Sequence, residues 1–125
     1  MRDPIREKQV ADTPEERVRQ AVIRMLMESM GIPAALIAVE RSVLINGSIR
    51  RPDIIIHSRT GEPWMVVECK APKVQINQGT FDQVSNYNRV LQAPFLFVTN
   101  GEDHLCARVD GSSITFLENL PRWDK

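Results

Sequence analysis

Two apolar runs, Ile54-Ile55-Ile56 and Trp64-Met65-Val66-Val67, sit close together in the chain, and each is bounded by a carboxylate: Asp53 before the first, Glu68 after the second. Runs this short and this apolar read as buried strands. Gly61 and Pro63, within the stretch from Ser58 to Pro63, supply the turn between them. A carboxylate at a buried strand end costs free energy unless it is paired or bound to a metal. The feature therefore demands both a pair of antiparallel core strands and a reason for acid at their ends.

In a strand, residues two apart share a face, so Glu68 and Lys70 project together while Val67 and Cys69 turn into the core. The preceding antiparallel strand can set Asp53 beside them. Two carboxylates and a lysine are the parts that phosphodiester hydrolysis uses. Hard oxygen ligands hold Mg²⁺, the metal polarises the phosphate and acidifies a water, and a lysine positions that water or offsets developing charge. For any one of these residues the ordinary reading is a structural acid paired with Lys70 or an arginine at a sheet edge. Three at matched strand positions favour the site.

The remaining elements follow from periodicity and punctuation. Thr13-Pro14-Glu15-Glu16 combines an N-cap, a proline in the first turn and a Glu three residues after the cap, and Gly31 supplies the stop of a helix. Val18, Ala21, Val22, Met25, Leu26 and Met30 form its apolar face, with Arg17, Arg19, Arg24 and Glu28 expected mostly on the other side. Leu36 to Ile45 and Ile49 to His57 read as a hairpin turned at Asn46-Gly47, and Trp64 to Lys70 as a third antiparallel strand. Asn77 to Leu91 carries a helical pattern ended by Pro94. Phe95 to Val98 reads as a buried strand, Leu105 to Val109 as another, and Ile114 to Leu117 as a last edge strand. The order is helix, three strands, helix, strand and one or two short strands. That order predicts an α/β fold, a mixed sheet with a helix on each face, because each helix has one apolar stripe to bury.

The length of 125 residues predicts one domain with a core at about 13–118 between tails, the first eleven residues and those after Leu120 being expendable. Sixteen Lys and Arg balance sixteen Asp and Glu, so no overall positive field steers nucleic acid to the chain. DNA contact would fall to local patches: Arg50-Arg51, Lys70 with Lys73, or Arg17, Arg19 and Arg24. The charged start MRDPIREKQV lacks the apolar core of a signal peptide, and no stretch approaches the ~20 apolar residues that span a bilayer. A cytoplasmic, membrane-free protein is expected. Cys69 and Cys106 are read as free thiols. His57 and His104 read as turn or strand-end residues, and Trp64 and Trp123 as packing anchors.

Pro52-Asp53 followed after a hairpin by Glu68-Cys69-Lys70 resembles the signature of the PD-(D/E)XK nuclease superfamily, whose restriction-endonuclease-like core runs αβββαβ. More narrowly, TPEERVRQ, RRPDIIIH, VVECKAP, FDQVSNYNRVLQAP and FVTNG are similar to the N-terminal nuclease domain of type I restriction enzyme R subunits. The resemblance implies a DNA endonuclease in which Asp53 and Glu68 bind Mg²⁺, for which Mn²⁺ can substitute, with the Cys69 carbonyl as a further ligand and Lys70 as the catalytic lysine. It implies that Glu16 is the upstream acid assisting the metal, although Thr13-x-x-Glu16 is equally a capping box. Gln83 and Tyr87, four apart on one helix face, match the family's Gln-x-x-x-Tyr element, the glutamine reaching toward the site or the DNA backbone. Core packing is the stronger reading for Tyr87.

Here the pattern also departs from the R subunit. No GxxxxGK[ST] phosphate loop occurs, so cleavage is not expected to be coupled to ATP by this chain alone. Motor or specificity subunits of a restriction-type complex are the implied partners. The alternative is a catalytically inactive nuclease-fold module that binds DNA or assembles a larger complex, which the neutral charge favours. A self-associating domain, a homodimer through an exposed hairpin edge, is the third reading.

Overall fold

The computed structural model describes residues 1–123. The chain begins with a small hairpin, β1 (Arg2–Asp3) and β2 (Lys8–Gln9), before helix α1 (Pro14–Arg24). Thr13 caps α1 as expected, its hydroxyl accepting from the Glu16 amide at 3.1 Å. The helix ends in a π-helical turn, Met25–Ser29, followed by Gly31 in the left-handed region (φ 73°). Strands β3 (Ile37–Val39), β4 (Val43–Ile45), β5 (Ser48–Arg50), β6 (Ile54–His57) and β7 (Pro63–Cys69) follow, then helix α2 (Gln78–Leu91) and strands β8 (Phe95–Thr99), β9 (His104–Asp110) and β10 (Ser113–Leu117).

Six of these strands make the main sheet in the order β10-β9-β8-β7-β6-β3. Only β7 and β8 are parallel. A parallel pair needs a crossover, which α2 provides. Alternation along β7 splits the core in two. Met65, Val67 and Cys69 pack with Val18, Val22, Ile23 and Leu26 of the α1 side. Val66 packs with Phe81, Val84 and Tyr87 of α2, joined by Leu96 and Val98 of β8. The mixed α/β sheet flanked by a helix on each face is thus the observed architecture.

The long hairpin expected from Leu36 to His57 is broken into two. β3 pairs with β6 in the main sheet, whereas β4 and β5 form a separate two-stranded ribbon. The interruption has a local cause on each arm. Glu40 adopts positive φ (50°), which turns the chain out of the sheet, and Pro52 lacks the N–H a ladder requires. The Glu40 amide still donates to the Asp53 carbonyl at 3.0 Å, closing the neck of the ribbon. Asn46 (φ 51°) and Gly47 (φ 78°) make the ribbon's tip, a type I′ signature.

Two further expectations are corrected. Ala21 is exposed rather than part of the buried helix face, and Arg19 is buried rather than outward. The buried face of α1 is polar along one edge: Glu16, Arg19 and Gln20 are all within it. Residues 1–10, read as a tail, are folded back, and Asp3 is completely buried. Among the described residues no helix is long and apolar enough to cross a membrane.

Candidate active site and its counter-ions

Asp53 sits just ahead of β6 and Glu68 near the end of β7. The register pairs Ile54 with Val67, so the antiparallel arrangement carries Asp53 beside the end of β7. The β7 backbone holds it there: the Cys69 amide donates to Asp53 Oδ2 at 2.8 Å. Both acids are buried, at 4% and 6% exposure. Glu68 Oε2 lies buried with no hydrogen-bond partner among the described residues. A carboxylate oxygen in that position is a standing cost unless a cation or proton meets it.

The electrostatics say the same. Burial, with Asp53 within hydrogen-bonding reach as the next cause, pushes the Glu68 carboxyl up to about 9, while the Lys70 ammonium opposes the shift. Burial likewise pushes the Cys69 thiol far above its ordinary range, so its sulfur is no nucleophile or ligand at neutral pH.

Asp53 Oδ1 is occupied by a residue the sequence placed on the outer face. Arg19 donates to it through Nη2 at 2.5 Å and Nε at 3.2 Å. Arg19 Nη1 also donates to Glu16 Oε1 at 2.9 Å, and Nη2 lies 3.2 Å from Glu40 Oε1. A second guanidinium, that of Arg6 from the N-terminal hairpin, bridges Glu16 Oε1 (2.9 Å), Glu40 Oε2 (3.2 Å) and Asp3 Oδ2 (2.7 Å). Gln20 Nε2 adds bonds to Asp3 Oδ2 and Glu16 Oε2. Burial alone would raise the Asp3 and Glu16 carboxyls. The donors from Arg6, Arg19, Gln20 and the backbone overcome it and hold both below the ordinary carboxylate range.

Glu16 is therefore neither a full capping box nor a direct neighbour of Asp53 by any recorded bond. Its amide takes the Thr13 cap, and its carboxylate reaches the site through Arg19. The signal for Arg19 was present: Glu16, Arg19, Gln20 and Ile23 recur at helical core spacing, three of them polar. Polarity argued for the outer face: Glu16 is only three residues away, but Glu40 and Asp53 are brought from far along the chain.

On the other side of the sheet Lys70 follows the end of β7, half-buried, and its Nζ donates to Gln83 Oε1 at 3.1 Å. Gln83 Nε2 in turn points to the Tyr87 hydroxyl at 3.4 Å. The tyrosine ring belongs to the α2 core, so Tyr87 packs and takes a polar contact at once. Lys73 is exposed, with Arg17 and Arg24. His104 accepts or donates at Thr99 Oγ1 (2.6 Å) and stacks on Phe97, whereas Trp64 packs edge-on against Phe95 and Trp123.

Among the described residues no three His, Cys, Asp or Glu side chains group as a metal cage. The donor set at hand is smaller: two carboxylates, one with an unsatisfied buried oxygen. Such a set suits a hard divalent cation that keeps several waters, as Mg²⁺ does, and not a dedicated all-protein cage. The charge balance suits one too, since among the described residues Asp3, Glu15, Glu16, Glu40 and Asp53 pair with Arg6 and Arg19, and Glu68 adjoins with Lys70 as its nearby cation.

Known proteins share both the sequence and the fold. Over 66 residues the chain is 35% identical to a type I restriction enzyme EcoAI endonuclease subunit of Escherichia coli, a match covering 53% of this chain and only 8% of that protein. A fragment described as an HsdR subunit of a type I restriction enzyme from Vibrio vulnificus YJ016 superposes with a TM-score of 0.65 at 20% identity, over 88% of this chain and 24% of that one. A protein of the DUF820 group from Anabaena variabilis ATCC 29413, described as a candidate nuclease, gives 0.56 at 11% identity, over 90% of this chain and 72% of the other. These two likenesses speak for the fold, a restriction-endonuclease-like one. Residues 14–121, spanning helix α1, the whole sheet and α2, match the family described as the type I restriction enzyme R protein N terminus (HSDR_N), and the chain belongs to that family.

Proposed function

We propose that this domain is a metal-dependent DNA endonuclease that hydrolyses phosphodiester bonds at the Asp53–Glu68–Lys70 cluster. The observation that carries the reading is the buried, unpartnered Glu68 Oε2 beside Asp53. Asp53 and Glu68 hold Mg²⁺ or Mn²⁺, and the Cys69 carbonyl is a further donor on the same strand end. A cation bound there supplies Lewis acidity to the scissile phosphate and lowers the pKa of an attacking water. Lys70, just past the end of the same strand and steadied by Gln83, offsets negative charge developing on the phosphate. Glu16 acts at one remove, orienting Arg19 and through it Asp53. Motor or specificity subunits of a restriction-type complex are the partners this reading implies, and the chain spans 8% and 24% of the two type I restriction relatives it matches.

One observation favours a second reading, a catalytically silent module that binds DNA or assembles a complex: Arg19 already neutralises Asp53 Oδ1. Titration of the protein with Mn²⁺ by calorimetry, beside plasmid nicking at low salt, separates the two. The endonuclease binds the ion and nicks, and Asp53→Ala loses both. Wild-type protein that binds no ion and leaves plasmid intact would sink the catalytic reading.

A further inference from the structure

We propose that the β4–β5 ribbon and helix α2 form a strand-binding groove that grips the sugar–phosphate backbone of DNA next to the site, with Arg50 as its principal phosphate contact. The ribbon stands apart from the main sheet, and one face of it turns to α2. Ile45 on that face is buried in the α2 core with Phe81, Val84 and Tyr87 and anchors the ribbon there. Its neighbours on the same face are Ser48, its register partner, and Arg50, paired with Val43. Leu44 and Ile49, register partners on the opposite face, are exposed at 65% and 69%. The ribbon thus attaches through Ile45, with the partly buried Val43 packed against the same core, and leaves polar groups along the cleft.

That cleft holds about 310 Å³. Asn46, Ser48 and Arg50 line one wall, and Gln83, Asn86 and Tyr87 the other. Not one of the described lining residues is acidic, in a chain whose charges otherwise balance. The one acid on α2, Asp82, is taken up by Gln78 Nε2 at 2.8 Å. Amides, two hydroxyls and a guanidinium without carboxylates are the chemistry that phosphate and sugar oxygens select. The cleft also opens onto the reaction: Gln83, which lines it, holds the Lys70 ammonium. A strand lying in the groove therefore passes the catalytic lysine. Nothing in the lining is built to read base edges, so the grip is independent of sequence.

The inference deepens the nuclease reading, resting on it only in taking DNA as the polymer. Its test is fluorescence anisotropy of a labelled duplex of mixed sequence with the whole chain, across a salt series, for wild type, Arg50→Ala, Arg50→Glu and Arg89→Ala. Arg89 is also an exposed α2-side cation but lines a different cleft, with Gln92 and Gly111. Arg50→Ala is expected to bind severalfold more weakly and to lower the slope of log affinity against log salt by about 0.9, the loss of one phosphate contact. Arg50→Glu should lose more, and Arg89→Ala nothing. Urea unfolding midpoints should stay at the wild-type value in all of them, which excludes misfolding as the cause. Equal binding by wild type and both Arg50 variants overturns the groove, as does an equal loss in Arg89→Ala or a wild-type chain that holds no duplex even at low salt. The two readings fail separately. A chain that binds duplex through Arg50 but takes up no Mn²⁺ and never nicks keeps the groove and loses the nuclease. One that nicks with Arg50→Glu at the wild-type rate and affinity keeps the nuclease and loses the groove.

Discussion

The two sides of the sheet treat their charged residues in opposite ways. On the α1 side Arg6 and Arg19 are sunk among Asp3, Glu16, Glu40 and Asp53, each guanidinium bonded to several carboxylate oxygens. On the α2 side Lys70 has a single neutral partner, Gln83, at an exposed cleft. The first arrangement is costly to disturb because removal of one ion strands the others in a low-dielectric interior. The second is cheap to disturb because water replaces what is lost. The difference teaches where rigidity and access lie: the acids are held from behind by α1, and the lysine sits on the more accessible side.

Three substitutions would break or sharpen that contrast. The largest effect is expected from Arg19→Met, which keeps length and apolar stem but strands Asp53 and Glu16. A loss of about 3–5 kcal/mol in urea unfolding is expected, and a loss under about 1 kcal/mol would show that the α1 network is solvated and the contrast false. Next comes Asp3→Ala, which cuts the N-terminal hairpin from Gln20 and Arg6 and should cost about 1–3 kcal/mol. Its pH dependence has a definite sign. The folded Asp3 carboxyl lies below its ordinary value, so its stabilisation is complete above that value, near 3.8, and drains away as pH falls through the depressed one. Urea midpoints measured downward from pH 5 should therefore converge for wild type and Asp3→Ala, and parallel curves would show that the bonds to Asp3 contribute nothing. The smallest effect on stability is expected from Lys70→Ala, within about 0.5 kcal/mol. Plasmid nicking by the same variant should nevertheless fall at least about a hundredfold, the scale of a lost charge-stabilising group. A large stability loss with Lys70→Ala would make the lysine a structural partner of Glu68 and erase the distinction between the sides.

Much of this was legible without coordinates. The apolar runs ending at Asp53 and Glu68, the Thr13 cap and the Asn46-Gly47 turn are local properties, and all appear where spacing put them. The same reasoning joined β3 and β4 into one strand, because loose alternation continues through Glu40-Arg41-Ser42 and the residue that does signal a break, Pro52, lies on the other arm of the hairpin. It also turned Arg19 outward, since a cation on an amphipathic helix ordinarily faces water.

What the sequence by itself determined is the set of short-range facts: which short apolar runs form strands, where the helix cap and the turns fall, and which carboxylates flank the core. These follow from periodicity and turn chemistry within a few residues. What only the tertiary structure decided is which charges meet. Arg19 and Asp53 are thirty-four positions apart, as are Arg6 and Glu40. Whether a buried guanidinium is a liability or a keystone depends on acids brought from that distance to join the local ones, Glu16 beside Arg19 and Asp3 beside Arg6, because the cost of burying a charge is set by all of its partners.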